Sequence, residues 1–136
     1  MYFKAISLAA ALLAVAPAAA STVTLDCVMT DLARSGGWIA RAALIKVDTA
    51  RKSVQLLKPT PDQLNGSVRK AKLARNSGGK MVLRWVVTGT RSKSNQTTPA
   101  FNYRAMVQTD TGAVSVIAKP IGYGNDFRAS GSCKIS

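Results

Sequence analysis

The stretch Arg128-Ala129-Ser130-Gly131-Ser132-Cys133-Lys134-Ile135-Ser136 decides how the fold is read. It sets one cysteine close to the end of the chain. The only other cysteine, Cys27, lies near the opposite end in Thr24-Leu25-Asp26-Cys27-Val28-Met29-Thr30. The first residues show in which compartment the pair matures. Met1 to Lys4 form a short, singly charged start, Ala5 to Val15 an apolar alanine-rich run, and Pro17 to Ala20 a small-residue stretch. This is the pattern of a secretory signal over residues 1–20, with cleavage expected after Ala20. The apolar run is short for the roughly 20 residues that a membrane span needs. No later stretch is apolar enough to serve as one. An exported chain meets an oxidising compartment, so the two thiols are expected to form a disulfide, Cys27–Cys133. Such a bond closes a loop over nearly the whole mature chain, which loop-closure entropy makes worth about 4–5 kcal/mol. Metal binding by the pair is a poor alternative, because the chain has no histidine and no third thiol.

Between the cysteines, period-two patterning dominates. Val23, Leu25, Cys27 and Met29 share one face, as do Met81, Leu83, Trp85 and Val87, and again Phe101, Tyr103, Ala105 and Val107. Alternation of this kind marks half-buried strands. Further strands are expected over Trp38–Val47, Ser53–Lys58, Ala113–Lys119 and Phe127–Ile135, with glycine- and aspartate-rich turns between them. Thr60-Pro61-Asp62-Gln63 reads as a capping box with proline at the first helical position. It predicts a short helical turn over 61–65 followed by a loosely alternating strand, with a helix over 62–75 as the rival. The parity of the strand after Gly112 depends on its turn. A four-residue turn turns Val114 and Val116 inward, and a three-residue turn turns Ala113, Ser115 and Ile117 inward instead.

Seven or eight strands with short connections predict an all-β fold, a small antiparallel meander of residues 21–136 forming one domain. Closing it into a barrel of about eight strands removes exposed edges and makes the terminal strands neighbours. The two cysteines would then join that seam. A two-sheet sandwich is the rival.

The charge is lopsided: 19 Lys+Arg against six acids, all aspartate, for a net +13, one less if Lys4 leaves with the leader. Such a balance favours anionic partners: anionic lipid, lipopolysaccharide or polysaccharide. With no histidine, a proton shuttle near neutral pH and the Ser-His-Asp and Cys-His arrangements are ruled out, and the aspartates show no paired motif. The expectation is a non-enzymatic protein with no catalytic residues, no metal and no cofactor. Aromatics neighbour arginines at Trp85 and Tyr103, as a stacking platform for nucleic acid would require. In a strand, however, Arg84 and Trp85 point to opposite faces, as do Tyr103 and Arg104, so the aromatics read as core and nucleic acid is not the expected partner.

If the strands around Trp85 and Tyr103 pair as a hairpin through Thr88–Ala100, a natural register sets Trp85 opposite Tyr103 and Arg84 opposite Arg104. Facing arginines repel unless an anion lies near them. Arg84 and Arg104, joined by Arg91 and Lys93 of the connecting loop, are therefore the candidate anion-binding residues.

The leader, the early Cys27, Tyr103-Arg104-Ala105 leading to Thr111-Gly112, and Gly131-Ser132-Cys133 together resemble the small uncharacterised exported proteins of Gram-negative bacteria, a group that implies a periplasmic or secreted location and no activity. Small periplasmic barrels that inhibit lysozyme are similar in size and export signal, but their Ser-Gly-x-x-Tyr pattern does not occur here. Two alternatives accompany the anion-binding expectation. One is a protein-binding or hydrolase-inhibitor module. The other is a small-ligand carrier with an interior pocket lined by Trp38, Trp85 and Tyr103.

Overall fold

A computed structural model describes residues 21–64, 66–89 and 98–136. Eight antiparallel strands follow one another round a closed barrel. They are β1 (Thr22–Asp31), β2 (Ala42–Asp48), β3 (Ser53–Lys58), β4 (Ser67–Ser77), β5 (Lys80–Thr88), β6 (Phe101–Gln108), β7 (Ala113–Pro120) and β8 (Phe127–Ile135). A single helical turn, α1 (Pro61–Leu64), interrupts the meander between β3 and β4.

The alternation visible in the sequence fills the interior. Leu25, Cys27 and Met29 from β1, Met81, Leu83, Trp85 and Val87 from β5, and Phe101, Tyr103, Ala105 and Val107 from β6 are all buried. Four residues, 109–112, separate β6 from β7, and Val114 and Val116 accordingly face inward. Asp110 and Asp48 serve their turns locally. Asp110 Oδ1 accepts from the Thr111 amide, and Asp48 Oδ1 accepts from the amides of Ala50 and Arg51.

The seam closes between β1 and β8, where Leu25 pairs with Ile135 and Cys27 with Cys133. The two sulfurs are bonded at 2.02 Å inside the barrel. Gly131 lies in the same seam, against the Val28 carbonyl and the Met29 Cα on β1.

One expectation is corrected, and one rival reading falls. The strand predicted from Trp38 starts only at Ala42, and residues 32–41 form a loop across one end of the barrel. Trp38 and Ile39 are consecutive and both pack on the core, which a two-sided strand cannot arrange. The rival helix over 62–75 is absent, and β4 occupies most of that range. α1 is held by the predicted capping box: the Thr60 amide donates to Gln63 Oε1 at 2.9 Å and the Gln63 amide donates to Thr60 Oγ1 at 3.4 Å.

β4 alternates loosely because its register shifts twice, between Arg69 and Lys72 and between Leu73 and Arg75. At the first shift Lys70 has φ 54°, and two exposed residues, Arg69 and Lys70, stand between the inward-packed Val68 and Ala71. β4 pairs along its length with β5 but meets β3 only at Ser53–Lys72.

Candidate anion-binding site

The interior of a barrel of this size is either packed or hollow. Trp38 lies over Phe101 with ring centroids 4.5 Å apart, and Trp85 stacks parallel to Tyr103 at 5.4 Å. The Tyr103 hydroxyl donates to the Trp38 carbonyl at 2.6 Å, tying the 32–41 loop to β6. Burial pushes the Tyr103 phenol up from 10.0 to about 12. Among these rings and their neighbours remains a void of about 40 Å³ with a mostly apolar lining. An apolar cavity needs about 150 Å³ to take up a molecule the size of benzene. Trp38, Trp85 and Tyr103 share this small void, and Trp38 and Tyr103 also border an open depression of about 680 Å³ with Lys58, Pro59, Leu64 and Val87.

The outer face is different. In β5 and β6, Arg84 and Arg104 alternate with buried neighbours and therefore point away from the core. The register sets Arg84 directly across from Arg104, while Trp85 pairs with Tyr103. Lys72 of β4 pairs with Arg84 on its other side. Three adjacent strands therefore present one cation each in a single cross-strand row, with neighbouring Cα atoms about 5 Å apart. The next member of the row, on β7, is Ile117. A second row runs beside it, with Val86 paired to Asn102 and Asn102 paired to Lys119. The extra outward residue at the β4 bulge, Lys70, closes the remaining side.

Lys70, Lys72, Arg84, Arg104 and Lys119 line one open groove of about 510 Å³, and no carboxylate among the described residues lines it. Among the described residues the ion pairs are Arg51–Asp48 and Arg128–Asp126, and neither involves a groove cation. Five like charges thus share a groove without a counter-charge among the described residues. A bound anion would relieve their mutual repulsion, which is the elementary condition for an anion site.

The predicted facing of Arg84 and Arg104 is present. Arg91 and Lys93 lie outside the described residues. Sequence reading missed Lys70, Lys72 and Lys119. The cluster 69–72 was conspicuously basic, but its facing could not be read through a bulge, and Lys119 joins only through the β6–β7 register. Among the described residues no group of three or more His, Cys, Asp or Glu side chains gathers to hold a metal. No helix among them is long and apolar enough to cross a membrane. No family model, curated protein or solved structure matches the chain.

Proposed function

We propose that this chain is a non-enzymatic protein of the cell envelope, exported to the periplasm or beyond, that binds anionic surfaces or ligands through its cationic groove. The observation that carries the reading is the row Lys72–Arg84–Arg104, flanked by Lys70 and Lys119, with no acid among the described residues in the groove. The leader-like residues 1–20 and the Cys27–Cys133 bond support an oxidising destination. Lipopolysaccharide, anionic lipid and acidic polysaccharide all supply the required charge.

Retention on immobilised heparin and on lipopolysaccharide tests the reading. Binding should weaken steeply as salt rises, since screening acts on exposed charges. Arg84→Gln combined with Arg104→Gln should release the protein at distinctly lower salt. Unchanged retention of that folded variant would remove the groove from the account.

A protein-binding role is favoured by one other feature. The connection between β7 and β8 exposes Tyr123 at 66% and Ile121 at 49%. An exposed aromatic on a short anchored loop is the usual form of an interface anchor. Under that reading a single partner captured from periplasmic extract would resist salt and be lost on Tyr123→Ala. A small-ligand carrier would have to use the open depression bordered by Trp38 and Tyr103, about 680 Å³, since the void among the rings is only about 40 Å³.

A further inference from the structure

The groove is compact, and its shape narrows the class of anion. Its cations surround a patch rather than trace a line along the barrel. Arg84 and Arg104 sit side by side on adjacent strands, Lys72 continues their row, and Lys70 and Lys119 stand at the rims. Each guanidinium is a rigid fork suited to two oxygens of one acid group. A carboxylate has two oxygens and one charge, so it satisfies one fork. A phosphate monoester has three terminal oxygens and nearly two charges at neutral pH, so it can engage two forks at once. Beside the arginines the groove offers Asn102, an uncharged donor and acceptor, and two half-buried apolar side chains, Val86 and Ile117. These suit the organic body that carries the phosphate.

We infer that the groove is a phosphomonoester site: Arg84 and Arg104 clamp a terminal phosphate, Lys72 completes its neutralisation, and Val86, Asn102 and Ile117 contact the sugar or lipid moiety bearing it. The inference rests on the anion-binding reading and specifies the ligand of that same groove. A soluble sugar phosphate and a membrane lipid with a terminal phosphate share this chemistry.

The test uses the full oxidised chain in calorimetric titrations with glucose 6-phosphate and glucose 6-sulfate. Parallel sedimentation assays use phosphatidylcholine vesicles carrying either phosphatidic acid, a monoester, or phosphatidylglycerol, a diester. The monoesters should bind better than their singly charged counterparts at pH 7.5. That preference should fall about tenfold at pH 5, where the phosphate has lost its second charge (its second pKa is about 6). Arg84→Lys with Arg104→Lys keeps the charge but not the forks, so it should reduce the preference severalfold while heparin retention persists. Preference for the sugar phosphate alone assigns a soluble ligand, and preference for phosphatidic acid alone assigns a lipid. A flat pH profile, or equal binding of monoester and control in both arms, overturns the phosphomonoester assignment. If heparin retention still depends on Arg84 and Arg104 in that event, the broader anion-binding reading stands; if it does not, both fall.

Discussion

Tyr103 is the residue where burial and polarity meet most sharply. Its ring belongs to the core, its hydroxyl donates to Trp38, and its acidity is shifted to about 12. In the unfolded chain the phenol ionises near pH 10, whereas in the barrel it keeps its proton until about 12. The unfolded state therefore binds fewer protons than the native state between these values, and native stability falls as pH rises through that window. A shift of this size corresponds to roughly 2–3 kcal/mol, fully present below pH 10 and lost above 12. Tyr103→Phe should cost about 1 kcal/mol near neutral pH through the lost hydrogen bond. Urea unfolding of the two proteins from pH 9 to 12 should show the parent's advantage disappearing as pH rises; parallel profiles would refute the assignment. Gly131 makes a second residue-scale case. A methyl group there would press into the β1 backbone at Val28 and Met29, which cannot swing aside as a side chain can. Gly131→Ala should destabilise by about 1–3 kcal/mol, measurable by the same unfolding.

At the scale of elements, clean alternation and ambiguity separate along physical lines. β5 and β6 were legible down to the outward facing of Arg84 and Arg104, because each carries an unbroken inward file and the parity of that file sends both arginines to the outer face. The parity of β7 was open in the sequence, since either turn length left an apolar file: valines on one parity, Ala113 and Ile117 on the other. Trp38 misled because a loop closing the barrel's end needs apolar side chains just as a strand does. β4 was blurred by its bulges, and with them went Lys70 and Lys72, two of the three lysines in the groove. Those same bulges accompany the thinnest junction in the sheet, since β3 and β4 share only the Ser53–Lys72 pair. Backbone amides there have fewer partners to hold them than those of β5 and β6. Amide hydrogen exchange should therefore be faster in β3 than in β6, by orders of magnitude rather than by a small factor. Equal protection would mean that the barrel is uniformly closed.

The molecule as a whole is a ring of strands whose first and last members are both hydrogen-bonded and bonded through sulfur. That closure was foreseeable from two cysteines at opposite extremities of a meander. The identity of the groove's occupant was not, because it depends on cations brought together from four strands. The bond spans 106 positions in sequence. Replacing both cysteines with serine should lower stability by about 4 kcal/mol through the freedom restored to the unfolded chain, read as a shift in the urea midpoint. A loss well under 1 kcal/mol would place the barrel's closure in the strand ladder alone. The covalent circuit has one more effect, on durability against proteolysis. An endoprotease that cuts once anywhere between Cys27 and Cys133 makes a nick but frees no fragment, and the severed halves stay attached until a reductant arrives.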